Sequence, residues 1–279
     1  MAIRFLIDSA SDILPEEAKA LGIECIPMQI AFGEEIYEDG VTLSHEAFYS
    51  KLAGCEALPT TSQINPVVYE NYFAELTKDG SELVVISLSS GLSGTTQSAR
   101  IAAADYPDQV FVVDSLNATI GQRILLMRGL QLRDAGFSAE QIAQALDEEK
   151  KSIRLVAMID TLEYLKKGGR ISAATAFAGA ALGIKPAISV VDGKIATVGK
   201  ARGKQTFTLL KQLIQEAGQI DWEKPAAFVY SCTDEGLRQF IDVSGEIWDG
   251  HSLPPAHSLG CTIGTHIGPG AYGFAFFEK

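Results

Sequence analysis

The stretch L-V-V-I-S-L-S-S-G-L-S-G-T-T-Q-S-A, residues 83–99, decides the fold class and indicates where a ligand would bind. It begins with a short apolar run, rich in β-branched residues, that predicts a strand buried on both faces. A loop of only Ser, Gly and one Leu follows, Ser89–Gly94, then come Thr95 and Thr96, and a helix is predicted from Gln97 onward. When a strand is followed by a small polar loop and then by the first turn of a helix, the backbone N–H groups and hydroxyls of the loop are directed at a position where a small anion can bind. The same residues also suit an ordinary turn, so both interpretations stay open on this stretch alone.

The composition of the loop favours a carboxylate over a phosphate chain. The loop contains no Lys and does not end in Gly-Lys followed by Ser or Thr, so a triphosphate would lack its usual cation. Three more hydroxyl-bearing loops follow or flank predicted elements of the first half, and they are Asp8-Ser9, Thr60-Thr61-Ser62 and Asp114-Ser115. Because ligands of open α/β sheets bind at the carboxyl ends of the strands, we expect these four loops to converge on one site.

Outward from residues 83–99, strands and helices alternate through the first half of the chain, and one of these strands is predicted over Glu24–Phe32. The acidic segment Glu34–Asp39 that follows it is predicted to be a solvated hairpin or loop. The alternation of strands and helices predicts a doubly wound, mostly parallel sheet covered by helices on both faces. The second half contains a hairpin over Pro186–Val198 with a two-residue Asp192-Gly193 turn, and further strands, one of them over Ala256–Cys261, interspersed with helices. The sequence therefore predicts an α/β domain over residues 1–153 and an α+β domain with a mainly antiparallel sheet over residues 154–279.

Composition and charge exclude several classes of function. Of the 279 residues, 47% are hydrophobic and 21% are charged, and the formal net charge is −12. This balance is typical of a globular protein and disfavours nucleic acid or lasting attachment to an anionic membrane, so we expect at most transient membrane contact.

The four cysteines are far apart with no metal-ligand spacing, so we expect buried free thiols, no metal and no cofactor. Residues 1–8 turn acidic too early for a signal peptide, which predicts a cytoplasmic protein.

A serine hydrolase is the enzyme hypothesis that the sequence leaves open. Gly91–Thr95 comes close to the nucleophile elbow G-x-S-x-G, and Ser93, Asp114 and His266 follow the hydrolase order. Thr95 stands where the strained elbow needs a small residue, and Asp114 comes earlier than the acid of that fold. A lipid esterase using Ser93 and a ligand-free regulatory module therefore remain the alternatives.

Seven segments together resemble the DegV family, and they span the chain in the order of that family. They are Asp8–Asp12, Thr60–Gln63, Ser89–Thr95, Val113–Ser115, Gly168–Ser172, Gly183–Pro186 and His266–Ala271. The resemblance implies two α/β domains with a long-chain fatty acid between them. It also implies a binding subunit of bacterial fatty acid kinase, monomeric and not an enzyme itself, whose partner kinase phosphorylates the carboxylate of the bound acid.

The resemblance also implies individual roles for residues at matching positions. Thr61, Ser93 and His266 would bond the carboxylate, with help from Ser62 and Gly94. Arg170 would belong to the surface on which the kinase docks. The Ala- and Gly-rich run Ala173–Gly183 predicts a helix with a thin face, which would form one wall of the acyl tunnel.

Overall fold

The computed structural model describes residues 2–172 and 183–279. Its strands are β1 Ile3–Asp8, β2 Glu24–Ile26, β3 Gln29–Phe32, β4 Glu35–Glu38, β5 Thr60–Ser62, β6 Glu82–Ser87, β7 Val110–Asp114, β8 Ile153–Met158, β9 Ile184–Val191, β10 Lys194–Arg202, β11 Ala227–Tyr230, β12 Ala256–Ser258 and β13 Tyr272–Phe277. Its α-helices are α1 Pro15–Leu21, α2 His45–Ala53, α3 Pro66–Thr77, α4 Thr95–Ala103, α5 Thr119–Asp134, α6 Ala139–Glu149, α7 Glu163–Lys167, α8 Gln205–Glu216, α9 Glu235–Val243, α10 Gly245–Trp248 and α11 Cys261–Ile267.

The strand predicted from residues 83–86 lies inside a parallel sheet of order β2-β1-β6-β7. Successive residues of β6 point to opposite faces, as the period of a strand requires. Leu83 and Val85 pack with helices α3 and α4 on one face, whereas Val84 and Ile86 pack with α5 and α6 on the other. Both faces are apolar because both are covered by helices, and this is why the strand reads as a continuous apolar run.

A second sheet, of order β10-β9-β8-β13-β11-β12, is antiparallel except for the pair β11 and β12. Asp192 and Gly193 both have positive φ in the turn between β9 and β10, which confirms the predicted hairpin. Helix α5 lies between the two sheets, and one hydrophobic cluster contains residues of both, such as Val84 and Ala275. Helices α8 and α9 cover the other face of the second sheet. The layers confirm the predicted α/β fold class with one parallel and one mainly antiparallel sheet.

Three local predictions were wrong. Glu24–Phe32 is not one strand, because Pro27 interrupts it and the N–H of Met28 donates to Ser9 Oγ at 3.0 Å. Thr60–Ser62 is not a loop but strand β5, which pairs with β3 in a small antiparallel sheet of order β4-β3-β5. The acidic segment contributes β4 to the same sheet and forms a hairpin with β3, which was one of the two alternatives predicted for it. The strand predicted over Ala256–Cys261 ends at Ser258, and α11 begins at Cys261.

One predicted helix lies almost entirely outside the part of the chain that the structure describes. The helix predicted over 173–183 lies outside the described residues except for Gly183. Of the four unpaired cysteines, Cys261 is buried, Cys25 and Cys55 are half-buried and Cys232 is exposed. No helix within the described ranges has the length and apolar character needed to cross a bilayer. The division into domains at residue 153 stays a prediction.

Candidate functional site

One cavity collects side chains from parts of the chain that are far apart in sequence. About 510 Å³ of the space between its lining side chains is unfilled, and part of this space is open to solvent. Five of the predicted site residues line it, and they are Thr61, Ser62, Ser93, Arg170 and His266. The apolar part of its wall includes Met28, Leu88, Leu92, Leu165, Ile195 and Ile263. The cavity therefore offers a polar group of side chains beside an apolar surface.

Thr61 and His266 meet through the small antiparallel sheet and helix α11. Pairing of β5 with β3 sets Thr61 opposite Ile30, and Thr61 Oγ1 lies 2.9 Å from His266 Nε2. Burial and the nearby Arg170 guanidinium lower the pKa of His266 from 6.5 to about 4. The imidazole is therefore neutral at pH 7 and carries one N–H. Its Nδ1 is buried and has no hydrogen-bond partner within the described ranges.

The Ser-rich loop after β6 is fixed by its own hydroxyls. Ser93 Oγ lies 2.9 Å from Thr95 Oγ1 and accepts the Thr95 N–H at 3.3 Å. Thr95 Oγ1 in turn accepts the N–H of Ile64, which ties this loop to the segment after Thr61. Gly94 is exposed and directly precedes α4, and a Cβ there would overlap the Gln63 amide. These hydrogen bonds hold Ser93 at the cavity, with its hydroxyl next to that of Thr95.

The hairpin of the second sheet packs directly on this loop. Ser89 Oγ donates to the Gly193 carbonyl at 2.7 Å. Gly91 lies so close to Gly193 that a Cβ would overlap its carbonyl oxygen. The contact explains why residue 91 is a glycine, and it joins the two sheets beside the cavity.

Two of the predicted converging loops, Asp8-Ser9 and Asp114-Ser115, support the cavity without lining it. Asp8 Oδ2 accepts the Leu88 N–H at 2.8 Å, and Asp114 Oδ1 accepts the Ser90 N–H at 3.1 Å. Burial raises the pKa of Asp8 to about 6, against the hydrogen bonds that lower it. These carboxylates anchor the backbone on either side of Ser89.

Arg170 lies at the cavity and is half-buried. Its Nε donates to the Leu92 carbonyl at 3.2 Å, and its Nη1 donates to the Gly168 carbonyl at 2.5 Å. The guanidinium therefore bridges the Ser-rich loop and the turn after α7. Its position beside the polar group of residues is compatible with the docking role that the sequence predicts for it.

The geometry does not assemble a hydrolase triad. Such a triad needs the nucleophile bonded to the imidazole and the imidazole bonded to the acid. In the described part of the chain, Ser93 Oγ bonds to Thr95 and His266 Nε2 bonds to Thr61. Asp114 accepts the backbone N–H groups of Ser90 and Leu116.

Sequence reasoning missed the burial of Asp39, and although it singled out the segment Asp8–Asp12, it did not predict the hydrogen-bond partner of Asp12. Asp39 belongs to the segment predicted to be solvated, yet its exposed fraction is 3%. It accepts hydrogen bonds from Cys261 and Thr262 at the start of α11, while Asp12 accepts the Gly260 N–H at 2.8 Å. No local pattern could reveal this, since the donors are more than 200 residues away.

The fold is of the α/β class, with a parallel sheet, a mainly antiparallel sheet and the small sheet β4-β3-β5, and its cavity has polar side chains beside an apolar wall. The family model described as "Uncharacterised protein, DegV family" matches residues 2–279. A DegV domain-containing protein of Deinococcus radiodurans is 32% identical over 277 residues, which cover 99% of this chain and 98% of the relative. The chain belongs to the DegV family.

Solved structures of this family share the whole fold. A DegV family protein from Thermus thermophilus, described by its fatty acid binding, has a TM-score of 0.88, 28% identity and full coverage of both chains. DegV from Bacillus subtilis, described as a fatty acid binding protein, has a TM-score of 0.82, 30% identity and full coverage of both chains. A stearic acid-binding protein from Eubacterium ventriosum has a TM-score of 0.87 and 26% identity, over 100% of this chain and 99% of the other. Fatty acid binding is thus described for these three proteins, two of which are DegV proteins by name.

Proposed function

We propose that this chain binds one long-chain fatty acid in the cavity, with the carboxylate beside Thr61, Ser93 and His266. The observation that carries the proposal is that these three side chains line one cavity whose remaining wall is largely apolar. Ser62 also lines the cavity and would assist at the polar end, as would Gly94, which follows Ser93 but does not itself line the cavity. The fatty acid binding described for family members of the same fold supports it.

Hydroxyls and a neutral imidazole suit a carboxylate that must stay reactive. They donate hydrogen bonds without forming a bidentate ion pair, which would hold the carboxylate more strongly. The lowered pKa of His266 keeps the ring neutral before the ligand arrives. The head group then sets the orientation of the ligand while leaving its oxygens available for transfer chemistry.

The acyl chain would supply most of the affinity. Burying about 16 methylenes at about 0.8 kcal/mol each contributes roughly 13 kcal/mol before costs. Association costs on the order of 4–15 kcal/mol, so a long chain can reach useful affinity where acetate cannot. The proposal therefore requires a long-chain acid.

We further propose that the chain is a non-catalytic subunit that presents the carboxylate to a kinase. Arg170, which lines the cavity beside the polar residues, is the residue proposed to contact that kinase. We propose that the carrier is monomeric and acts in the cytoplasm. The resemblance of Gly168–Ser172 to the corresponding family segment and the position of Arg170 at the cavity support this role.

Mass spectrometry of lipid extracted from natively purified protein tests the binding proposal. We expect about one acyl chain per protein molecule. The matched control is the Thr61→Val, Ser93→Ala, His266→Ala triple variant, which keeps the apolar wall and should retain much less. A wild-type protein that carries no acyl species, and takes up none from a mixture of free fatty acids, would contradict the proposal.

A further inference from the structure

The carboxylate of Asp39 organises the start of helix α11, the helix that carries His266. Asp39 Oδ1 accepts the Cys261 N–H at 3.0 Å. Its Oδ2 accepts the Thr262 N–H at 3.0 Å and the Thr262 hydroxyl at 2.6 Å. A fourth donor, the Ser9 hydroxyl, donates to Oδ2 at 3.1 Å. One buried side chain thus accepts the first two N–H groups of α11.

Helix α11 depends on this support because it is short. It has seven residues, and its preceding residue, Gly260, has no side chain with which to cap it. A helix of this length is not stable by itself, and its first N–H groups need acceptors when they are buried. Asp39 supplies the capping acceptor from another part of the chain, and its negative charge is favourable at the positive end of the helix.

The cap is connected to the cavity through one face of the helix. Thr262 and His266 are four residues apart, so they lie on the same face, and both line the cavity. Displacement of Thr262 would therefore turn His266 away from Thr61 Oγ1. The polar contact at the cavity depends in this way on a carboxylate that does not line it.

The surroundings of Asp39 carry further titratable groups. Asp12 lies close enough that Asp39 raises its pKa, and it holds Gly260, the residue just before α11. His45 Nε2 is 3.9 Å from Asp39 Oδ1, and burial lowers the pKa of this imidazole. The Cys261 thiol is also adjacent, and it donates to the Leu43 carbonyl. Burial raises the pKa of this thiol, so it stays protonated beside the carboxylates.

We propose that Asp39 is a positioning residue for the carboxylate end of the ligand, acting through the capped start of α11 on His266. The inference rests on the proposed function. Asp39 does not line the cavity, so it would act on the ligand indirectly, in addition to the residues that line the cavity.

A double-mutant cycle with two ligands tests the inference. Tetradecanoic acid and tetradecan-1-ol have the same chain, and only the acid has a carboxylate for His266. Affinities are measured for wild type, Asp39→Asn, His266→Ala and the double variant. We expect Asp39→Asn to weaken binding of the acid about tenfold, the size of one hydrogen bond to a charged group, and binding of the alcohol less than twofold. The double variant should bind the acid as His266→Ala does.

Equal losses for acid and alcohol, or a full tenfold loss from Asp39→Asn in the His266→Ala background, would overturn the inference. Thr262→Val provides a milder change should Asp39→Asn not fold, because it removes one donor and leaves the carboxylate; it should weaken acid binding selectively by about threefold. Asp221→Asn is the matched control, since this carboxylate accepts the Glu223 N–H and does not line the cavity.

A ligand-free measurement separates this inference from the binding proposal. The pKa of His266 can be followed by NMR in the protein without added lipid. We expect it to rise from about 4 toward its ordinary value in Asp39→Asn or, to a smaller extent, in Thr262→Val, because the ring leaves its buried contact. An unchanged His266 titration in both variants would refute the positioning role, even if the wild type binds fatty acid. A changed titration in a protein that binds no fatty acid would refute only the proposed function.

Discussion

Thr61 Oγ1 and His266 Nε2 lie 2.9 Å apart although 205 residues separate them in sequence. Thr61 stands on a strand that pairs with β3, whereas His266 stands in the last turn of a helix near the end of the chain. Their contact closes the polar end of the cavity, so the proposed carboxylate site exists only when these two distant segments are packed together.

Removal of the Thr61 hydroxyl should weaken fatty acid binding. Thr61→Val keeps the β-branched shape that suits a strand and loses one donor, so we expect affinity to fall about tenfold, which corresponds to about 1.4 kcal/mol. Thr61→Ser is the control, because it keeps the hydroxyl and should stay within about threefold of wild type. Displacement of a fluorescent fatty acid measures both. Equal affinity of Thr61→Val and wild type would exclude a ligand contact at this hydroxyl.

A methyl group at Gly168 should displace His266 without touching the ligand. A Cβ there would overlap His266 Nδ1, which is a buried atom, and would approach the Tyr164 carbonyl at 3.1 Å. We expect Gly168→Ala to weaken fatty acid binding about tenfold, as loss of the imidazole contact would, while the far-ultraviolet circular dichroism is unchanged. Gly245→Ala is the control, because a Cβ at that glycine meets no heavy atom within 4 Å. Equal fatty acid affinities of the two variants would contradict the prediction.

Asp12 should make folding depend on pH in a direction unusual for a carboxylate. Burial raises its pKa from 3.8 to about 7, so between these values the folded protein holds a proton that the unfolded chain has lost. The free energy of unfolding contributed by Asp12 therefore falls as pH rises from about 4 to about 7, by about 4 kcal/mol, and stays constant at higher pH. Below pH 3.8 Asp12 is protonated in both the folded and the unfolded state, so there it does not make the free energy of unfolding depend on pH.

Urea denaturation of wild type and Asp12→Asn across this pH range measures the effect. The amide can still accept the Gly260 N–H, and it carries no charge at any pH. The lowered pKa of His266 acts in the opposite direction, since stability is lost as pH falls from about 6.5 to about 4, but it acts in both proteins alike. The difference between the two unfolding free energies isolates Asp12. A difference that does not vary with pH would show that Asp12 titrates normally.

Arg170→Ala should separate binding from presentation. We expect fatty acid affinity within about twofold of wild type and at least a tenfold lower rate of acyl-phosphate formation when the kinase subunit and ATP are added, because one charged contact at an interface is lost. Arg238→Ala is the control, since Arg238 is 76% exposed and pairs with Asp234 on the same helix. An equal loss of binding and of acyl-phosphate formation would place Arg170 in ligand binding instead of docking.

Ser93 should not react as a nucleophile. Its hydroxyl bonds to Thr95 Oγ1, and the His266 Nε2 that would activate it contacts Thr61. We therefore expect a fluorophosphonate probe to leave Ser93 unlabelled at pH 7, as judged by intact-mass spectrometry, with the same result for Ser93→Ala. Labelling that is present in wild type and absent in Ser93→Ala would support the esterase alternative.

Several features of the molecule were determined by sequence alone because they depend on neighbouring residues. The apolar run at residues 83–86 and the Asp192-Gly193 turn define their strand and hairpin through side-chain pattern and backbone conformation. The resemblance of separate segments to the DegV family predicted Thr61, Ser93 and His266 as one site, and the structure places all three at one cavity.

Only the tertiary structure decided what depends on partners far away in the chain. Asp39 reads as part of an exposed acidic segment, and it is buried only because Ser9, Cys261 and Thr262 bring their donors to it. Helix α11 was missed for the same reason, since seven residues without a local cap form a helix only where another segment supplies the acceptor. The physical reason is that a side chain's burial and hydrogen bonds are properties of its neighbours in space, which a local pattern does not contain.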